Sequence, residues 1–362
     1  MVKKLIWWLN ITLVSLLISG ILLSGCGKAA PPPEEGRANW PSTVSIASGD
    51  AKGSGAKTAM AITEIIRKYV GVSAVGEPGA GDAISTMVST GDVEFGMATS
   101  KNIHSNVYAP ELMGIFKSTQ PHRILMVGHP TIEITAVHRD SDINSFDDLR
   151  GKKWFIGGST ATSVMQIGWA TMDVFGLTKN DFDYYEGPGA KGGKEGMINR
   201  TVDAWTYVGG SPFDKTPSGS FLEIDAAVGM RWLDYGKGKA QEVVDKIPGL
   251  IVSELAPGWV NEYQTEPIYV VGWTTSPMCN ANLPDSFTYE VTKAIWENIE
   301  ELRGMTTIFN AYQMPRSIEN PPGPFHPGAI KYYKEIGAWT SEIETNHQAL
   351  LDKAQAEWNR TH

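Results

Sequence analysis

Apolar and polar positions between residues 43 and 210 follow one scheme that repeats. Thr43 to Ala47 alternates as a strand does. Gly49 to Gly55 is a glycine-rich turn, and Ala59, Ile62, Ile66 and Tyr69 then fall at helical spacing. Val72 to Val75 reads as a second short strand and Gly76 to Gly81 as a second glycine loop, after which Ile84, Met87 and Val88 open another helix. Val93 to Ala98 is a third strand, set off by the turn Thr90-Gly91-Asp92. Arg123 to Gly128 and Ile132 to His138 read as two more. Polar residues from Asp140 to Leu149 begin a new unit. In it Lys153 to Ile156 is a strand, Gly157 to Ser163 a small-residue loop, and Val164, Ile167, Thr171 and Phe175 a helix face. Phe182 to Tyr185, Gly187 to Gly193, Glu195 to Asn199 and Val202 to Tyr207 repeat strand, loop, helix and strand. Such alternation implies a parallel sheet covered by helices. Because the scheme runs twice, the chain is expected to form two similar α/β lobes in tandem.

A less regular region follows. Pro267 to Thr274 is then a β-rich stretch, read as the return crossing to the first lobe. Phe287, Val291, Ala294, Ile295 and Ile299 share one helix face after Pro284, with Asp285 or Ser286 as the N-cap. Ile343 to Trp358 forms a long amphipathic helix whose stripe of Ile343, Leu350, Leu351, Ala354 and Trp358 is a packing face. Lobe one is therefore assigned to residues 42–136 and 275–362, and lobe two to residues 137–274.

The first residues concern compartment. Lys3 and Lys4 precede an uncharged apolar run from Leu5 to Leu23, which ends in Ser24, Gly25 and Cys26. These are the parts of a secretory signal. The run is also long enough to span a bilayer as a helix. Leu23-Ser24-Gly25-Cys26 decides between the two, because it resembles the bacterial lipobox, whose cysteine is acylated on sulfur and becomes the new N-terminus. Residues 1–25 are then a signal peptide and 26–41 a lipidated N-terminus and tether. Lys28 to Gly36, with Pro31, Pro32 and Pro33 in succession, suits an extended spacer.

Removal of the signal takes Lys3 and Lys4 with it and moves the net charge from −9 to about −11. That acidity argues against a nucleic-acid partner, which would show a basic face. With 42% hydrophobic and 20% charged residues, a globular core is available. If Cys26 carries lipid, Cys279 stands alone and reads as a small buried hydrophobe rather than a catalytic thiol. Seven scattered histidines show no metal-ligand spacing. Gly49 to Gly55 lacks the Gly-Lys-Ser/Thr order of a nucleotide loop. With no nucleophile–base pair, metal set or cofactor motif, neither enzyme activity nor a cofactor is expected.

Several stretches resemble the TAXI family of solute receptors for TRAP (tripartite ATP-independent periplasmic) transporters. The sharpest is Phe325-His326-Pro327-Gly328-Ala329-Ile330-Lys331-Tyr332-Tyr333, similar to the family's near-terminal L-H-P-G-A-x-x-Y-Y signature. Leu283 to Leu302, Gly151 to Ser163, Asp203 to Pro212 and Ser48 to Ser54 resemble further family segments, in family order. The resemblance implies a type II periplasmic-binding-protein-like α/β fold, with two lobes joined by crossing hinge strands and the ligand in the cleft. It also implies a partner: an integral-membrane permease of two subunits, driven by an ion gradient. His326 would fix the local turn with Pro327 and Gly328. The chain departs from the family pattern at Gly55-Ala56, Ala83-Ile84 and Thr99-Ser100-Lys101, so the family's ligand is not inherited.

In a doubly wound sheet, ligands sit beyond the carboxyl ends of the strands. Those ends are Gly49 to Gly55, Glu77 to Gly81 and Thr99 to Asn102 in lobe one, and Gly157 to Ser163 and Tyr207 to Ser211 in lobe two. Helix starts there offer N–H groups to an anion. The candidate ligand-binding residues are Lys52, Ser54, Gly79, Thr99, Ser100, Ser159, Thr160, Thr162, Ser163, Trp205, Tyr207 and Gly209. The hydroxyls act as donors, Lys52 or Lys101 as a charge, and the rings of Trp205, Tyr207 and Trp273 as walls. Helix capping explains the same hydroxyls equally well, and core packing the rings. The expected protein is an exported, monomeric solute-binding lipoprotein held to a membrane by its lipid. It would capture an organic anion or amino-acid-like acid and deliver it to a TRAP permease. The alternative is a receptor that presents its ligand to a membrane sensor kinase.

Overall fold

The short apolar runs between glycine turns become strands, and the computed structural model joins eleven of them into one curled sheet. It describes residues 34–49, 51–157, 162–185, 189–214 and 217–362. The expected signal peptide, residues 26–33 of the tether with Cys26, Ser159 and Thr160 lie outside the described residues. Among the described residues no helix is long and apolar enough to cross a membrane. Glu34–Arg37 is a single 3-10 turn, and Asn39–His362 forms one compact unit.

The strands are β1 (Thr43–Ala47), β2 (Ser73–Glu77), β3 (Phe95–Thr99), β4 (His122–Ile124), β5 (His129–His138), β6 (Lys153–Ile156), β7 (Asp183–Tyr185), β8 (Ala204–Gly210), β9 (Met230–Trp232), β10 (Leu250–Leu255) and β11 (Ile268–Asn280). Their order is β2-β1-β3-β11-β5-β8-β6-β7, with β4 and β10 beside β11 and β9 beside β5. β1 runs parallel to β2 and β3, and β6 parallel to β7 and β8. β11 is antiparallel to β3 and β5, and β5 is antiparallel to β8. Each lobe is thus three parallel strands closed by one long antiparallel strand, and each closing strand also pairs within the hinge. One core gathers Val44, Ile46, Phe95, Met278, Phe287, Phe309 and Tyr333. Two more cover the faces of the other lobe, one around Phe146, Trp154, Ile167 and Val271, the other around Phe155, Trp205, Phe221 and Trp232.

Three readings of the sequence are corrected. The return crossing is longer than Pro267 to Thr274 and continues to Asn280, because Ser276 to Asn280 still pair with β3 and β4. The less regular region holds helices Gly219–Val228 and Lys237–Lys246 and strands β9 and β10. Periodicity misses the second helix because it turns only Ala240 and Val243 to the core. Finally, the helix Asp285–Glu297 has Pro284 as its N-cap, not Asp285 or Ser286, and the Ser286 hydroxyl instead accepts a hydrogen bond from the Trp40 indole at 2.9 Å.

The crossing strands approach backbone to backbone. A Cβ on Gly272 would stand 2.2 Å from the Thr131 carbonyl oxygen, and one on Gly128 would stand 1.8 Å from that of Thr275. Neither carbonyl can retreat without breaking the ladder. Buried imidazoles add a second constraint. Burial drives His122 and His129 down to about 3 from their ordinary value, so both stay neutral in the folded protein.

Two outcomes follow. Gly272→Ala should cost about 3 kcal/mol or more by urea unfolding, whereas Gly238→Ala, with open space at its Cβ inside a helix, should be neutral or stabilising by about 0.5–1 kcal/mol; equal effects would contradict the close crossing. The unfolded chain takes up protons at His122 and His129 below about pH 6.5, and the folded chain does so only near 3. Their contribution is therefore complete above 6.5 and is lost as pH falls, at about 1.4 kcal/mol per pH unit for each. Urea midpoints at pH 7, 6 and 5 should fall in that order, and His122→Gln should remove about one proton from the slope.

Candidate functional site

The polar residues collect where the strand ends of both lobes meet the crossing of β5 and β11. Thr131, Glu133 and Thr135 alternate along β5 and share one face. The Thr131 hydroxyl lies 3.2 Å from that of Thr275 on β11 and 3.5 Å from that of Ser54, the first residue of the helix Ser54–Ile65. On the other side the Thr135 hydroxyl lies 2.7 Å from that of Thr206 on β8, which accepts the Trp154 indole N–H at 2.8 Å. His129 Nδ1 sits 3.5 Å from the Thr58 hydroxyl and 3.2 Å from that of Tyr312.

Between the two hydroxyl ladders stands Glu133. It is fully buried, and among the described residues neither carboxylate oxygen has a hydrogen-bond partner. Burial pushes its carboxyl well above the usual carboxylate range, opposed by the charge of Lys101. Lys101 is itself fully buried, in the first turn of the helix Ser100–Tyr108, with its ammonium 4.6 Å from the centre of the Trp273 ring. The β5–β8 ladder slips at this point. Ile132 faces Gly210 and Glu133 faces Val208, which leaves Gly209 as a bulge residue.

The residues expected from sequence fall into distinct places. Ser54 and Ser100 reach the crossing. Ser100 donates its hydroxyl to the Gly249 carbonyl and accepts the Thr274 N–H at 3.0 Å, so it joins the loop before β10 to the hinge strand. Thr99 caps its helix by accepting the Asn102 N–H at 3.3 Å. Lys52 is exposed in the turn before Ser54, and Gly79 is exposed with its N–H on the Gly49 carbonyl at 2.6 Å. Thr162 and Ser163 open the helix Thr162–Val174, and their side chains lie outside the description. Tyr207 is half-buried and stacks at 5.2 Å on Trp205, which is fully buried against Phe221. Trp205 and Tyr207 share one strand face, as alternation requires.

Sequence reading passed over Thr131, Glu133 and Thr275. The signal for Glu133 was a lone carboxylate in Ile132-Glu133-Ile134, inside a strand otherwise written for burial. His326 lies away from the crossing. Its Nδ1 accepts the Gly328 N–H at 3.2 Å as the N-cap of the helix Pro327–Glu335. Cys279 is buried on β11, and burial raises its thiol far above the ordinary value, which leaves it unreactive. Among the described residues no group of three or more His, Cys, Asp or Glu could hold a metal ion.

Solved structures with a similar course of the chain include the periplasmic aliphatic sulphonate binding protein of Escherichia coli. It is 14% identical over 88% of this chain and 88% of its own, with a TM-score of 0.42. A protein solved as a periplasmic transporter is 13% identical over 86% of this chain and 96% of its own, at a TM-score of 0.47. XAC2383 from Xanthomonas citri, bound to ATP, is 11% identical over 84% and 99%, at 0.45. The model of the NMT1-like family matches residues 54–337. That match runs from the first residue of the helix at the crossing to just beyond the His-Pro-Gly segment, well over half of the 362 residues, and the chain belongs to the NMT1-like family.

Proposed function

We propose that this protein is an extracytoplasmic solute-binding protein that captures a small molecule by closing its two lobes. The observation that carries the reading is the pair of shared strands. β5 and β11 each pair in the hinge and in a lobe, and the polar residues of both lobes converge on them. Such a ladder permits a hinge rotation that opens and closes a cleft. Contacts across it are already formed by Ser100 on Gly249, and by the Arg316 guanidinium 5.7 Å from the Phe213 ring. We assign ligand contact to Ser54, Ser100, Thr131 and Thr275, with Tyr207 on the side of lobe two and Trp205 as the ring beneath it. We set Lys52, Gly79, Thr99 and Gly209 at the margins of that site.

We place the lobe boundaries near residues 136 and 274, inside the two shared strands. The resemblance to TAXI receptors supports delivery to a TRAP permease, and the lipobox at Leu23 to Cys26 supports a lipid anchor on the outer side of a membrane.

Two experiments test this. Native mass spectrometry of the mature protein, followed by denaturation, should release a small molecule at near-stoichiometric amount. Small-angle scattering should then show a more compact particle with that molecule than without it, and identical profiles would reject closure. For the anchor, Cys26→Ser should move the exported protein from the membrane to the soluble fraction; unchanged membrane association would reject lipidation at that residue.

A further inference from the structure

We infer that a further ligand site lies beside the C-terminal helix and takes a small organic acid with one carboxylate on an apolar chain or ring. The carboxylate would meet Arg123, and the apolar body would lie against Leu351, Ala354 and Trp358. The site shares none of the residues assigned to ligand contact at the strand crossing, and it does not depend on the solute-binding reading.

The first ground is a helix that does not close on the body. The helix Ser341–Thr361 carries the apolar stripe expected of a packing face, yet of its residues only His347 is buried. Leu351, Ala354 and Trp358 stay half-buried. They line a cavity of about 470 Å³, which Val107 of the helix Ser100–Tyr108 and Pro121 also line. A cavity of that size takes a small molecule. Apolar walls left open forgo burial that the apolar part of a ligand would restore.

The second ground is a cation in the same cavity. Arg123 is the middle residue of β4, so alternation turns His122 and Ile124 to the core and Arg123 to the other face. There it is half-buried and lines the cavity. A guanidinium carries five N–H donors. Among the described residues, the hydrogen bond this one makes is from Nη1 to the His122 carbonyl, at 2.8 Å, and no carboxylate pairs with it. Burial lowers its pKa, as it does for a charge that water does not fully solvate. Its planar fork matches a carboxylate in two parallel hydrogen bonds.

The third ground is how the other charges on the C-terminal helix are answered. Arg360 pairs with Glu111 and Glu357, and the Lys353 ammonium lies 4.6 Å from the centre of the Tyr108 ring. Asp352 also lines the cavity, but it is exposed and accepts the Gln348 amide at 2.8 Å. Its charge repels every negative charge beyond the first, so an acid with a single charge suits the cavity better than a phosphate or a diacid.

Calorimetry on the mature protein tests this, with octanoate and phenylacetate as acids and octanamide and phenylacetamide as uncharged matches. At least one acid should bind, and its amide should bind about tenfold more weakly or not at all. Arg123→Gln should remove that preference without lowering the Tm of the ligand-free protein, since it takes away a cation that no carboxylate pairs with. Ala354→Phe should abolish binding of the acid by filling the cavity from the helix side. Should Arg123→Gln fail to fold, Ala354→Phe decides. The inference is overturned if neither acid binds, or if acid and amide bind equally. It is overturned too if Ala354→Phe leaves the acid bound, which would move the acid to the strand crossing. Vesicles of phosphatidylglycerol form the lipid arm: if they retain the tether-free protein through Arg123 while neither acid binds, a membrane headgroup replaces the free acid and the inference falls. The solute-binding reading is judged separately, by what native mass spectrometry releases, so either can fail alone.

Discussion

The ladder between β5 and β11 is the interaction on which the rest of the structure depends. Five consecutive pairs, from Val271 opposite Glu133 to Thr275 opposite His129, hold the two strands antiparallel. Beyond that stretch the strands diverge. β11 continues along β3 in one lobe, and β5 continues along β8 in the other. A strand that must hydrogen-bond on both edges in turn has no exposed edge to spare, and both strands are buried almost throughout. Their backbones come so close that only glycine fits at Gly128 and Gly272. The ladder therefore ties the two groups of parallel strands together through two close backbone approaches.

Placing a binding site on such a ladder has a physical logic. Side chains on a hinge move little when lobes rotate about it, so under the proposed function a ligand group held there would keep its geometry through opening and closing. The hydroxyls of Thr131 and Thr275 satisfy one another at 3.2 Å, and Thr135 and Thr206 do so at 2.7 Å, so these polar groups are buried without an orphan. Glu133 is the exception on the same face, and an orphan of that kind calls for an explanation beyond stability. His129 and Tyr312 pass the polar seam on into lobe one, where burial keeps the imidazole neutral and raises the phenol.

What was legible in the sequence depended on how much of each element's face is apolar. Thr43 to Ala47 and Lys153 to Ile156 match β1 and β6 to the residue, since glycine or polar turns bound a clear apolar run. The doubled scheme showed the two lobes for the same reason. β9 and β10 were missed because they are short or only half covered, and β11 was cut short because Ser276 and Pro277 look like a turn but are buried in the ladder. The His-Pro-Gly segment was legible as a signature, and its cause is packing. His326 caps the helix, and a Cβ at Gly328 would stand 2.2 Å from the Thr288 hydroxyl of the neighbouring helix. The site was harder. Sequence reasoning looked to loops and helix starts; Ser54 and Ser100 at such starts reach the crossing, while Thr131, Glu133, Thr135 and Thr275, which it passed over, lie inside strands.

That difference bears on the polarity of the proposed site. Helix starts alone favour an anion, which is where a reading of the loops leads. Of the two described helices that begin at the crossing, the one at Ser100 has its N-cap filled by Thr99, and the one at Ser54 has none. One end of the site therefore keeps its preference for negative charge. Glu133 lies two residues along β5 from Thr131, the partner of Ser54, a step of about 7 Å on an extended strand. Over that distance the environment changes from N–H donors to a carboxylate. One short stretch of β5 at the crossing thus runs from a helix start to a buried carboxylate, a contrast that the loops alone do not reveal.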